Sequence, residues 1–519
     1  MKIEITKQKR NWQTCIYIAL LIIFPGACAD LDEDPGAVQI SPETLTTVGT
    51  LRAIVTGMYQ QLANEAQWSD FFLASYGGDD VTTFSGGNKQ GYRDADWRSQ
   101  TSFSDRIERT YLGCYRVITS ANTAINAREN ITVNETNKDE FERLIGESHF
   151  MRAFCYLKLT RTYGEIPIQL KTNNLEPLTR ASFEQIYMQI EADLREAERL
   201  LPDEYPGIET VGIRPSKGAA KALLARLYMH WAGFPLNDPS RYTMAATEAK
   251  EIIDGNFGYE LNPSLRELWT ISKRFEQKES IFMLVFCNDG CAPNNRTTGR
   301  LGLPGDASGW SETFGEITFF EDMEEAANNE GTSTRFEDTY VLEVIPRGME
   351  PDGADWRNFQ NEPHPLLRKV ISGDLTEDIF GSTRNGINRY FMRYADLLLI
   401  YAEASGRSGN ITPEAWEALN QVRRRAAGKD PNTPDPSIDI VTGDLGELAF
   451  TERKWELAGE YERWHDIVRM DRIAEVFAQR SPDEVSDIIN NKTPSADGKY
   501  AYFTPIPQRE IDNSPQLAD

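Results

Sequence analysis

The sequence predicts a mainly α-helical fold of stacked helix pairs that carries large irregular loop excursions. Apolar residues at helical spacing recur through most of the chain, whereas convincing alternating strands are scarce. Successive helical segments are separated by tight turns and carry Ala-rich inner faces, which lets neighbouring backbones approach closely. Between them lie two long aromatic-rich stretches with no helical rhythm, 63–104 and 256–389. Loops of that length inside a domain are usually functional.

The 519 residues suffice for one large domain or two to three ordinary ones, and 40% hydrophobic content can supply a core. A net charge of −25 argues against nucleic acid, whose binding requires basic patches that displace counterions. Four histidines, none at ligand spacing from another, argue against a metalloenzyme.

Lys2, Lys7, Lys9 and Arg10 precede an apolar run from Cys15 to Phe24. The run is too short to span a bilayer and has the shape of a signal peptide, residues 1–27. Pro25, Gly26, Ala27 and Cys28 follow, as in a lipobox, although Pro25 stands where Leu is usual. Cys28 would then carry a lipid; the alternative is ordinary secretion with cleavage near Ala27 or Ala29. The acidic run from Asp30 to Asp34 starts like a calcium loop, but Pro35 interrupts it and Ser41 stands where a bidentate Glu is needed. It is expected to be a solvated tether, with no metal and no cofactor. Export would permit Cys287–Cys291 or Cys114–Cys155 disulfides; buried free thiols are the equal alternative.

The mature region, 28–519, divides into a helical part at 28–255, a loop-rich excursion at 256–388 and a helical part at 389–519. Pro42 to Leu62 reads as a helix opened by Ser41, and Arg106 to Arg128 as another. Phe141 to Tyr163 carries Leu144, Ser148, Met151, Cys155 and Leu159 on one face, with Gly164 as its cap. Ser182 to Leu201 and Pro215 to Trp231 make a pair, followed by Tyr242 to Asp254. Glu279 to Phe286 is strand-like. Tyr394, Leu397, Leu398 and Tyr401 define a helix that turns at 406–410 into a second, capped by Thr412 with Pro413 at its first position. Arg393, Asp396 and Glu403 interrupt the first of these, and charges so placed are expected to be paired. Leu445 to Arg472 reads as one long helix.

Four runs carry a family resemblance. RYADLLLIYAEA from Arg393 with ALNQVRRRA from Ala418 is one. Glu147, Arg152 and YGEIP from Tyr163 form a second; TERKWELAGE from Thr451 with RWHDIVR from Arg463 a third; and YFTPIP from Tyr502 with Glu510, Ile511 and NSPQL from Asn513 a fourth. In this order, behind a lipoprotein-like start, they resemble the SusD/RagB family of Bacteroidetes surface lipoproteins over nearly the whole mature chain. The resemblance implies a tetratricopeptide-like arrangement of the helix pairs, a lipid anchor at the outer membrane facing the cell exterior, and capture of an oligosaccharide for a SusC-like TonB-dependent transporter. It leaves peptide binding open, as in the RagB branch.

No P-loop, nucleophile elbow, H-E-x-x-H pair or dinucleotide fingerprint occurs, so a binding protein is expected and not an enzyme. A glycosidase needs only two carboxylates, which keeps a surface glycoside hydrolase as the rival. Sugars present apolar C–H faces and rings of hydroxyls, so their sites combine aromatic platforms with polar side chains. The first irregular stretch supplies Tyr76, Asp79, Asp80, Asn88, Arg93 and Trp97; the second supplies Asn288, Asn294, Arg296 and Trp310. These are the candidate ligand-binding residues. Trp97 and Trp310 lead, because both sit among Gly and polar residues.

Overall fold

The computed structural model describes residues 41–83, 90–104, 106–172, 176–205, 211–287, 293–303, 309–310, 312–342, 355–359, 363–372, 384–481 and 502–518. The signal region and Cys28 lie outside them. The first helix, α1 (Val48–Ala66), opens at Thr47 and not at Ser41, which caps only a single turn. The reason is a reciprocal box: Thr50 N donates to Thr47 Oγ1 (3.2 Å) and Thr47 N to Thr50 Oγ1 (3.3 Å).

The stretch expected to be a loop, 63–104, is largely structured and buried. It contains a 3₁₀ segment at Ser69–Gly77, strand β1 (Val81–Thr83) and helix α2 (Gln90–Asp96). Its aromatic residues Phe71, Phe72, Tyr76 and Tyr92 are core.

Helices α3 (Glu108–Asn126), α4 (Lys138–Tyr163), α5 (Phe183–Leu200), α6 (Lys217–Ala232) and α7 (Arg241–Asp254) follow the predicted spacing. Each packs on the next, with α1 against α3 at one end. Serine and glycine punctuate them as expected: Gln185 N donates to Ser182 Oγ (3.3 Å) at the start of α5, and Gly164 ends α4.

β2 (Ser280–Leu284) confirms the strand-like run. It pairs antiparallel with β4 (Arg389–Arg393), Ser280 opposite Arg393 and Leu284 opposite Arg389. β3 (Thr313–Gly315) pairs with β1, Thr82 opposite Phe314. The excursion is not wholly irregular, since α8 (Ile317–Glu330) and α9 (Ser333–Thr339) lie within it. α8 buries Phe319, Phe320, Met323 and Ala327, a helical face set among Gly- and Asn-rich sequence.

α10 (Tyr394–Ser408) and α11 (Pro413–Ala426) form the predicted hairpin, with Ala415 N donating to Thr412 Oγ1 (3.3 Å). α10 packs on α7 and on α12 (Leu445–Glu456), closing the row of stacked pairs. The helix expected from Leu445 to Arg472 breaks in two. Gly459 and Tyr461 both adopt left-handed backbone (φ 74° and 67°) before α13 (Arg463–Arg469).

The charges in these helices are paired. Arg393 contacts Glu279 (2.6 Å), Glu456 (3.0 Å) and Glu460 (2.7 Å); Arg425 contacts Glu279 (2.8 Å) and Glu456 (2.7 Å). Asp396 bridges Arg226 and Arg453, and Glu403 holds Arg469 (2.7 Å) and Arg407 (2.7 Å). Removing one partner from such a buried pair costs about 3–5 kcal/mol. Burial alone would raise the Glu456 carboxyl, but Arg425, Arg393, Arg335 and Lys369 outweigh it and hold it at about 2.

α14 (Ile473–Phe477) and α15 (Gln508–Asn513) complete the described helices. Residues 502–518 return to the first half of the chain. Thr504 N donates to Thr162 O (2.8 Å), Gln508 N to Ser102 O (2.8 Å), and Ser102 Oγ to Gln508 Oε1 (2.7 Å). Cys114 and Cys155 are buried free thiols, and burial followed by the hydrogen bond with Cys114 pushes the Cys155 thiol up. Cys287 is disulfide-bonded; Cys291 lies outside the described residues. No helix among the described residues is long and apolar enough to cross a membrane.

Candidate functional site

Where α1 ends, the chain turns through Gln67 and exposes part of Trp68. The wide turn at Thr298–Gly302 brings Trp310 to the same place, with Trp310 N donating to Gly299 O (2.6 Å). The two half-buried indoles stack with centroids 6.2 Å apart and planes at 30°. Arg296 lies over Trp68, its Cζ 4.1 Å from the ring centroid, and its Nε donates to Gln67 Oε1 (3.1 Å). Arg300, buried, sits 5.4 Å from the Trp68 centroid and 5.3 Å from that of Trp310.

Asp70, two residues beyond Trp68, ties this platform to the rest of the site. It accepts from the Tyr92 hydroxyl, from Arg106 (3.0 Å) and from Arg300 (3.0 Å). Arg109 reaches Glu65 (2.9 Å) while standing 5.7 Å from the Trp68 centroid. A cleft of about 760 Å³ opens beside this group. Glu65, Asp70 and Arg109 form one wall, α2 contributes Gln90 and Asp94, and the segment 101–104 contributes Thr101, Phe103 and Ser104. Phe103 is 75% exposed. A half-exposed pair of indoles beside a polar, charged cleft can hold a ligand that has both apolar faces and hydrogen-bonding edges.

Of the residues expected from sequence, Trp310 is in this platform and Arg296 covers its partner. Trp97 is half-buried just after α2, and Arg93 stacks on it at 4.9 Å from the centroid; like Trp68, Trp310 and Arg296, neither lines the cleft itself, and neither touches the indole pair. Asp79 is buried in a two-pronged pair with Arg463 (2.7 and 3.0 Å). Burial would raise its carboxyl, but Arg463 holds it low. Asp80 is buried too and accepts from Gly459 N (2.8 Å); burial, then the neighbouring Asp79, pushes it up to about 6. Tyr76 is fully buried, edge-on to Tyr92 and Tyr461. These three side chains are therefore packed inside the fold and not presented to solvent, because the stretch that carries them folds into the core. Asn294 lies in the turn beside Arg296; Asn88 and Asn288 lie outside the described residues. Trp68, Asp70, Arg109 and Arg300 were not expected. Trp68 carried a local signal, an indole directly after a helix end, but nothing in sequence joins position 68 to position 310. Among the described residues no group of three or more His, Cys, Asp or Glu side chains is placed to hold a metal ion.

Two family models match the chain. Residues 31–229 match one described as "Starch-binding associating with outer membrane", and residues 270–519 match the SusD family. The chain is 25% identical to SusD-like protein P2 of Formosa agariphila, covering 95% of this chain and 96% of the relative. It is 24% identical to a SusD-like protein of Bacteroides ovatus, covering 92% and 84%. Among solved structures, a SusD homologue from Bacteroides thetaiotaomicron superposes with a TM-score of 0.75 at 21% identity, covering 92% of this chain and 97% of that one. A laminarin-binding SusD-like protein superposes with a TM-score of 0.68 at 22% identity, covering 90% and 98%. The two models together cover most of the chain, in the order in which its four signature runs and stacked helix pairs occur, and the chain belongs to the SusD/RagB family.

Proposed function

We propose that this protein is a surface glycan-binding protein that captures an oligosaccharide on the Trp68–Trp310 platform and its adjoining cleft, without cleaving it. The observation that carries this reading is the stacked, half-exposed indole pair bordered by guanidinium and carboxylate groups. Sugar C–H groups pack against the uncovered parts of such rings, and the arginines and acids around them meet hydroxyls. The names of solved relatives agree, since one is a laminarin-binding SusD-like protein and another a surface glycan-binding protein A from Bacteroides uniformis. Binding is favoured over hydrolysis because the carboxylates nearest the platform are already engaged, Asp70 by Arg106 and Arg300, Glu65 by Arg109 and Arg116. By its family the protein would be anchored through lipid on Cys28 at the outer membrane and would deliver its ligand to a SusC-like TonB-dependent transporter.

Calorimetry against an oligosaccharide panel tests the site. Trp68→Ala and Trp310→Ala should each weaken binding at least about tenfold, which corresponds to about 1.4 kcal/mol. Trp97→Ala should leave it unchanged. Wild-type affinity in both platform variants, or reducing ends released from the panel, would overturn the reading.

A further inference from the structure

Glu65 is shared by Arg109 and Arg116, Asp70 by Arg106, Arg109 and Arg300, and Glu312 by Arg300. Those contacts pair Arg106, Arg109, Arg116 and Arg300, and the cleft adds the carboxylates Asp94 and Glu108; Arg296 makes none of these pairs. No carboxylate among the described residues lies within ion-pair distance of it. Its contacts are with neutral groups: its backbone N donates to Gln67 O (3.1 Å), its Nε to Gln67 Oε1 (3.1 Å), and its plane covers Trp68. It is half-buried and so remains reachable from solvent. The charged groups that act on it are cations, Arg109 and the exposed Arg384. Burial, followed by Arg384 and Arg109, pushes the Arg296 guanidinium below its ordinary value, as expected of a cation crowded by cations. A part-exposed arginine beside an aromatic platform, with no carboxylate partner among the described residues, matches the planar, two-oxygen face of a carboxylate or sulfate.

From this geometry we infer that the site selects acidic oligosaccharides, with Arg296 binding a uronate carboxylate or a sulfate ester on the sugar that stacks on Trp68 and Trp310. This rests on the glycan-capture reading and adds the ligand's charge. The indoles would supply stacking, which neutral and acidic sugars share, and Arg296 would supply the discrimination between them.

Calorimetry on the full protein separates the two levels. The probes are oligogalacturonate for the carboxylate, carrageenan oligosaccharides for the sulfate, and laminari-oligosaccharides as the neutral control. At least one acidic probe should bind about tenfold or more tightly than the neutral one, and whichever does identifies the anionic group. That preference should fade as salt rises from about 0.05 to 0.5 M, because screening acts on charges at exposed sites. Arg296→Gln keeps a hydrogen-bonding side chain beside Gln67 and should erase the preference, bringing the acidic probe down to the affinity that the variant shows for the neutral one. Laminari-oligosaccharide binding that depends on Trp68 and Trp310, with no acidic probe bound more tightly, would overturn the inference and leave glycan capture standing. An acidic preference untouched by Arg296→Gln would also overturn it. Binding of none of the probes would sink both readings.

Discussion

Lys158, on α4, is buried with its Nζ 4.6 Å from the Phe72 centroid and 5.4 Å from that of Phe71. No carboxylate among the described residues pairs with it. Burial first, and then the Arg161 cation, pushes its amine down to about 7. The unfolded chain therefore binds more protons than the folded one between about pH 7 and the ordinary lysine value. Stability from this group rises with pH across that window and is lost as pH falls through 7. Lys158→Met should remove the penalty and raise thermal stability at pH 6 by on the order of 1–3 kcal/mol, with a smaller gain at pH 9. A lower melting temperature in the variant at both pH values would contradict this. Single residues were also where the sequence was hardest to read. Trp310 was legible because it stood among Gly and polar residues. Its partner Trp68, and the burial of Tyr76, Asp79 and Asp80, were not, because both depend on which distant segment covers them.

Helices were read with better success, because each carries its own periodicity and punctuation. The hairpin of α10 and α11 needed only Thr412, Pro413 and the apolar face from Tyr394 to Tyr401. The helix from Leu445 failed because its apolar face continues in register past a left-handed turn that only Gly459 announces. One contact between elements can be tested directly. A Cβ on Gly406 of α10 would stand 2.3 Å from the backbone N of Gly446 in α12, a clash that neither helix backbone can relieve by rotating a side chain. Gly406→Ala should force α10 and α12 apart and cost about 1–3 kcal/mol, read as a lower midpoint in urea unfolding. Gly409, at the open end of α10, has nothing near its Cβ position and serves as the comparison, although its φ of 76° adds local strain there.

For the molecule as a whole, composition indicated acidity but not how the charges divide. The excess of acids lies on the surface, while the interior joins α6, α10, α11 and α12 through arginine–carboxylate pairs. Glu456 sits at about 2, below the ordinary Glu value, so its contribution is complete above about pH 4.5 and is lost as pH falls through 2. Acid unfolding should therefore steepen below about pH 4, with α10 and α12 losing amide protection together in hydrogen exchange. Because these pairs are buried, raising salt to about 1 M at pH 7 should change the melting temperature little. A strong salt-induced loss of stability would place the decisive charges on the surface.

The bonds between Ser102 and Gln508 span 406 positions of sequence. Segment 101–104 is a wall of the cleft, so a late-made part of the polypeptide pins an early-made part of the binding site. A chain truncated before Gln508 should thus hold oligosaccharide less tightly than the full chain in calorimetry, even with its indoles in place. Ligand affinity would then report whether these two distant segments of the chain are joined.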